Sequence, residues 1–118
     1  MIERHHSNAR MSQMVTYPLS GTGIVLSGLV AEDLTLDVKG QTAEILTKID
    51  QLLAEAGGDK SQVTHIYIWL PDISDFDAMN SVYDAWVADG HQPARACVEA
   101  KLANPRIRVE IQAFAVKL

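Results

Sequence analysis

Two side chains in this sequence have the chemistry and the setting to handle a small anionic molecule. Arg95 lies in Gln92-Pro93-Ala94-Arg95-Ala96-Cys97-Val98-Glu99, at the start of a segment that alternates between two residue classes. A guanidinium offers two parallel N–H donors that match a carboxylate, and it stays charged at any working pH. Glu110 sits between Val109 and Ile111, where a carboxylate flanked by core residues can act as a general base toward water. Each has a commoner alternative. Arg95 also reads as half of a structural ion pair with Glu99 or Glu110, and Glu110 as a solvated strand carboxylate or an arginine's partner. From spacing alone the structural roles are the more frequent.

The remaining candidates are weaker. Cys97 is the sole cysteine; no histidine lies nearby in sequence to activate it, so it reads as a small buried or interface residue. Asn80 falls mid-helix, where asparagine is a mediocre helix former and a bond to neighbouring backbone is expected. Ser27-Gly28 closes a strand, and its glycine admits close approach of a ligand or another chain. The histidines at 5, 6, 65 and 91 are scattered and Cys97 has no spaced partner, so no metal site is read. A Gly-rich phosphate loop, a Ser-His-Asp order and a Cys-x-x-Cys pair are all missing.

The elements that must position these groups follow from periodicity. Met11 to Tyr17 and Ile24 to Val30 read as strands joined by a turn at Pro18-Leu19-Ser20-Gly21. Val38, Ile45, Leu46, Ile49, Leu52, Leu53 and Ala56 fall largely at helical intervals, with Asp37 as N-cap and Gly57-Gly58 as the stop. Val63 to Leu70 is a strand that is apolar or aromatic on both faces. A second helix is expected from Ser74 to Gly90, burying Phe76, Met79, Val82, Tyr83, Trp86 and Val87. Ala94 to Leu102 and Ile107 to Val116 are the last strands. In the first of them Ala94, Ala96 and Val98 read as the core side, leaving Arg95, Cys97 and Glu99 on the face away from the helices.

The expected order is ββαβαββ, an α+β fold with two helices on one face of a mixed sheet. The whole of residues 1–118 reads as one domain, with 1–10 as an N-terminal arm that is free to be mobile. Two helices cover one face only, and the other carries Tyr67, Trp69, Phe114 and Val116. An exposed apolar face of this kind marks an interface, and symmetric self-association is the simplest cover. A plain hairpin of the last two strands would put Glu110 opposite Glu99, leaving Arg95 roughly 13 Å away. Either these strands are not neighbours, or the two residues serve opposite ends of a site, or subunits share it.

Composition limits the function classes. A net charge of −5 leaves no basic field for nucleic acid, and the apolar run from Gly23 to Val30 is too short and broken to span a membrane. With no signal-like start and one cysteine, a cytoplasmic address is the default expectation.

Taken together, these segments resemble the Rid (YjgF, or L-PSP) family. The resemblance is carried by Leu26-Ser27-Gly28, Gln41-Thr42, Leu53-Ala54-Glu55-Ala56-Gly57, and Asp75-Phe76 with Asn80 and Tyr83. It continues through Pro93-Ala94-Arg95 with Val98-Glu99, and Val109-Glu110-Ile111 with Ala113 and Ala115. It implies a chorismate-mutase-like fold and a homotrimer with clefts between subunits. It also implies deamination of imines or enamines of the 2-aminoacrylate type to 2-keto acids and ammonia, without a cofactor. Arg95 then clamps the substrate carboxylate, Glu110 orients or activates water, and backbone N–H groups near Ser27-Gly28 and Cys97 help hold the ligand. The chain departs from the central deaminases in the first strand, where Ser12-Gln13-Met14 replaces a tyrosine-bearing segment, and at Leu29, which replaces a glutamine. These departures keep a second function open, a non-catalytic module that binds small carboxylates or regulates another enzyme. The family's ribonuclease label sits poorly with the acidic charge.

Overall fold

The computed structural model describes all of residues 1–118. Its strands are β1 (Glu3–Ser7), β2 (Ser12–Thr16), β3 (Thr22–Val25), β4 (Val63–Leu70), β5 (Ala94–Glu99) and β6 (Glu110–Lys117). Its helices are α1 (Val38–Glu55) and α2 (Phe76–Trp86). They form one mixed sheet in the order β1-β2-β5-β4-β6-β3, with both helices packed on the same face. The α+β class is as expected, and the element order gains one strand at the front.

That strand occupies the segment expected as an arm. β1 pairs antiparallel with β2, from Glu3 opposite Thr16 to Ser7 opposite Ser12. Arg4 fastens it from beneath, donating from Nη1 to the Gln92 carbonyl and from Nη2 to the Ser61 carbonyl, both at 2.9 Å.

The helices begin and end where local chemistry dictates. Asp37 accepts the Gly40 N–H at 2.8 Å and caps α1. At its end, Gly57 takes φ +78°, the Gly58 N–H reaches Leu53 O and the Gly57 N–H reaches Ala54 O, a glycine-terminated Schellman stop. The second helix starts two residues later than its pattern suggests. Asp72 accepts the Ser74 N–H and holds Ile73–Asp75 in a 3-10 turn before α2 proper.

Between helices and sheet lies a core built on Ile45, Leu46, Ile49 and Leu53 of α1, Met79 and Tyr83 of α2, and Ile66, Ile68, Leu70, Ile111 and Ala113 of the sheet. β4 is central, paired parallel with β5 and antiparallel with β6. The last two strands are therefore not neighbours, which resolves the hairpin conflict in favour of the first alternative. One irregularity shifts β4: Val63 pairs with Ala115 and His65 with Phe114, so Thr64 is an extra residue. Val63 consequently turns into the core, although simple alternation places it with His65 and Tyr67.

Packing this dense makes the core intolerant of lost volume. Ile68→Ala, at a site 1% exposed, should cost about 3 kcal/mol, whereas Val25→Ala on the edge strand should cost less than about 0.5 kcal/mol. Urea unfolding of both variants at one protein concentration checks the contrast.

Candidate functional site

The register of β5 decides where Arg95 points. Arg95 pairs with Ile66, and Ile66 pairs in turn with Ala113. Laterally paired residues share a face, and both of these belong to the core beneath the helices. Arg95 therefore lies on the helical face, and the assignment of Ala94, Ala96 and Val98 to the core side is reversed. Tyr67 pairs with Ala96 and Trp69 with Val98 on the open face, where Val98 is 49% exposed. Cys97, paired with Ile68, packs partly buried against the core.

On that face Arg95 meets α2. Its Nη1 donates to Asn80 Oδ1 at 2.6 Å, and its guanidinium carbon lies 4.7 Å from the Tyr83 ring centroid and 5.8 Å from that of Phe76. Phe76, Asn80 and Tyr83 are spaced i, i+4, i+7, so one helical stripe supplies the whole cradle. Neither expected carboxylate is a partner. Glu99 instead accepts the Ile73 N–H at 3.0 Å, and no acid lies within ion-pair distance of Arg95. Burial lowers the Arg95 pKa from its ordinary value, but a guanidinium remains a cation across the working range. The result is a half-buried positive charge held by neutral groups alone.

Other basic residues nearby are already committed. Arg10 makes a two-pronged pair with Asp84, both bonds 2.7 Å, and lies 5.8 Å from the same Phe76 ring. Arg4 also lacks an acid, but it gives two N–H groups to the carbonyls described above and keeps only Nε without an acceptor, so it has no free fork to offer. Burial also pushes the Cys97 thiol up, against the pull of Arg95, so this sulfur is protonated at neutral pH and is not an activated nucleophile. β2 pairs with β5 only at Ser12–Ala94. From Arg95 onward that edge of β5 is open, leaving backbone donors and acceptors free beside the guanidinium.

Glu110 lies elsewhere. It pairs with Trp69 on the open face, together with Gln112 and Phe114. Leu26 N–H bonds to Ala113 O and Leu29 exchanges both bonds with Ile111, while Ser27 and Gly28 stand out of the ladder between them. The Glu110 carboxylate sits directly over Gly28. A Cβ at residue 28 would fall on Oε2, with Cδ only 3.1 Å away. The structure thus joins Ser27, Gly28 and Glu110 on one face, and Arg95 and Cys97 on the other. Three residues along β4 and two strands across place the two groups about 14 Å apart at the backbone.

The open face that carries Glu110 is aromatic. His65 stacks flat on Phe114 at 4.2 Å, and Tyr67 meets Phe114, Trp69 and His65 edge-on. A cavity of about 320 Å³ on the sheet is lined in part by Tyr17, His65, Tyr67, Ala94 and Arg95. A larger groove of about 570 Å³ runs between α1 and the 29–32 segment, but it holds neither Arg95 nor Glu110. Its charged lining is Glu32, Glu44 and Lys48, and the Glu44 carboxylate accepts the Glu32 and Asp33 N–H groups.

The sequence model of the family described as Endoribonuclease L-PSP matches residues 1–117. The RutC family protein YoaB of Escherichia coli K12 is 40% identical over 114 residues, covering 97% of this chain and 96% of that one. The chain belongs to the Rid (YjgF, or L-PSP) family. A crystal structure of NMB1025, a YjgF family member from Neisseria meningitidis, superposes with a TM-score of 0.80 at 46% identity, covering 100% of this chain and 96% of that one. The 3-aminoacrylate deaminase RutC of Acinetobacter baylyi is 37% identical over 79 residues, 67% of this chain and 62% of its own length.

Sequence reasoning singled out Arg95 and missed what holds it. The available signal was Asn80 itself, a polar side chain in the middle of the apolar stripe of α2, which had to find a partner when buried. Tyr83 is the other member whose chemistry can be measured. It is fully buried, donates to the Arg10 carbonyl at 3.3 Å, and burial raises its pKa to about 12. An acid whose folded pKa lies above its unfolded value near 10 stabilises the fold fully below pH 10 and loses that contribution as pH rises toward 12. Alkaline titration should therefore show one tyrosinate absorbance step that coincides with loss of helical circular dichroism. Tyr83→Phe should remove that step.

Proposed function

We propose that this Rid-family protein hydrolyses imines of the 2-aminoacrylate type to 2-keto acids and ammonia, as a cytoplasmic homotrimer with its sites between subunits. The observation that carries the reading is Arg95, a half-buried cation whose protein partners are all neutral. Such a group is ready for a carboxylate, and its planar fork suits two-pronged capture. The open edge of β5 at Cys97 adds backbone donors. The similarity to a named 3-aminoacrylate deaminase supports deamination of a small enamine carboxylate, although in that compound the nitrogen is on C3 and the product is a 3-oxo acid.

In this scheme the enamine tautomerises to the imine while Arg95 holds its carboxylate. Glu110 takes a proton from water as the oxygen bonds to the imine carbon and passes it to the nitrogen, giving a neutral carbinolamine. Glu110 then moves the hydroxyl proton to the amine, the C–N bond breaks with its electron pair going to nitrogen as the C=O bond forms, and ammonia and the keto acid leave. The imine carbon is already electrophilic, so positioning and one base suffice. Arg95 and Glu110 leave opposite faces of one sheet, which favours a cleft where Arg95 of one copy faces Glu110 of another. The aromatic open face supplies the surface for such a contact.

One observation favours a second reading, a carboxylate-binding module without turnover. The β2 segment that would hold the family tyrosine is Ser12-Gln13-Met14, and the buried Ser12 hydroxyl is spent on the Gln92 carbonyl at 2.6 Å. A ribonuclease role finds no support in a chain of net charge −5.

Ammonia release from amino-acid-derived imines generated in situ separates the two. Glu110→Gln should lower single-turnover rates about 100-fold or more while changing 2-ketobutyrate affinity little. Arg95→Lys should weaken that affinity about tenfold despite keeping the charge. Ammonia release equal to the enzyme-free control would leave only the binding module. Light scattering at micromolar concentration should give three times the chain mass, and Tyr67→Glu should shift it toward the monomer, because a charge would enter the covered face. A monomer mass for the unaltered protein would refute the assembly.

A further inference from the structure

The geometry points to Asn80 as the positioning residue that keeps the charge of Arg95 free for a ligand, holding the guanidinium through an acceptor that carries no charge of its own. This rests on the reading of Arg95 as the carboxylate clamp, and it adds why the clamp is not occupied by the protein itself.

Three observations lead to it. Asn80 is 1% exposed, and its Oδ1 receives the Arg95 N–H at 2.6 Å. Its Nδ2 is buried and has no acceptor in the protein. Turning the amide over would not help, because the guanidinium has only donors to offer and must meet the oxygen. Asparagine therefore leaves one polar group unsatisfied at this position, a feature that costs stability.

Aspartate has nearly the same shape and would remove that defect. It presents two acceptors and no donor, and it would neutralise a partly desolvated cation that no other acid reaches. On folding grounds alone it is the better residue, since an uncompensated buried charge is the costly case. The adjacent ion pair shows that this neighbourhood accepts such a solution: Asp84, one helical turn further along α2, pairs with Arg10. An aspartate at 80 would, however, occupy the guanidinium with a carboxylate tethered in place, at an effective concentration no free ligand matches. Neutrality at Asn80 thus exchanges stability for an empty clamp.

The inference is tested by Asn80→Asp and Asn80→Ala, each alone and combined with Arg95→Ala, read by thermal unfolding and by calorimetric titration with 2-ketobutyrate. Asn80→Asp should raise the unfolding midpoint by a few degrees only when Arg95 is present. It should also weaken 2-ketobutyrate binding by about tenfold or more. Asn80→Ala should lower both midpoint and affinity. A residue that is merely structural would move the two readouts together in both variants. Asn80→Asp with undiminished affinity overturns the proposal, as does an aspartate that gives no Arg95-dependent rise in midpoint. If the unaltered protein binds no 2-ketobutyrate, the clamp reading fails by itself, and the Arg95-dependent stability difference still decides whether the neutral acceptor leaves the charge unpaired.

Discussion

Strand β4 is hydrogen-bonded along both edges, and the rest of the molecule is arranged around that pairing. Its parallel bond to β5 requires a crossover, and α2 supplies it, so the strand bearing Arg95 and the helix covering Arg95 are consecutive parts of one connection. Its antiparallel bond to β6 brings Glu110 level with Trp69. Because both neighbours are registered to the same strand, the positions of the two charged groups are linked. The pairing Ile66–Arg95 directs the cation beneath the helices, and the pairing Trp69–Glu110 directs the carboxylate to the opposite face. No rotamer change within one chain can bring them together, since a sheet lies between.

The fold class was legible in the chain because each main element carries a complete local signal. Asp37 and Gly57-Gly58 bracket a 3.6-residue repeat, and β4 is a short run rich in β-branched and aromatic residues. The edges were less legible. Glu3–Ser7 has no apolar alternation, and its place in the sheet depends on Arg4 reaching the carbonyls of Ser61 and Gln92, contacts distant in sequence. The Thr64 bulge is equally silent: an extra residue changes the face of Val63 without changing the composition of the strand.

The site was legible in its parts and illegible in its arrangement. Period-two alternation states which residues of β5 share a face, but it cannot say which face is covered. Ala94, Ala96 and Val98 look like core beside Arg95, Cys97 and Glu99, and small aliphatics under a helix are the ordinary expectation. The register with Ile66 overrules it. A guanidinium goes beneath α2 because Asn80, Phe76 and Tyr83 provide an acceptor and two ring faces there. Gly28 could be recognised as a place of close approach, but that Glu110 is what approaches it depends on β3 and β6, distant in sequence, pairing from Thr22–Lys117 to Val25–Phe114.

Two buried donors lack an acceptor, Asn80 Nδ2 and Arg4 Nε, and the first belongs to the groups proposed for chemistry. Other buried polar groups are well satisfied: Gln41, fully buried, accepts the Arg108 backbone N–H and donates to two carbonyls, and Trp86 donates to Asp50. Arg108 and Arg10 each have an acid. Against that background, a half-buried arginine without a counter-charge and an asparagine with an unmet donor share a single bond on α2 and β5. Arg4 Nε on β1 is a second buried donor without an acceptor, so an unmet donor is not by itself the mark of the site; what distinguishes Asn80 is that a residue of nearly the same shape would remove its defect. The topology strengthens the point. A chain could remove the defect by one substitution at residue 80, without moving its backbone, whereas supplying the charge from Glu110 would require a different sheet. The unpaired cation is thus a property of one replaceable side chain, while the separation from Glu110 belongs to the architecture.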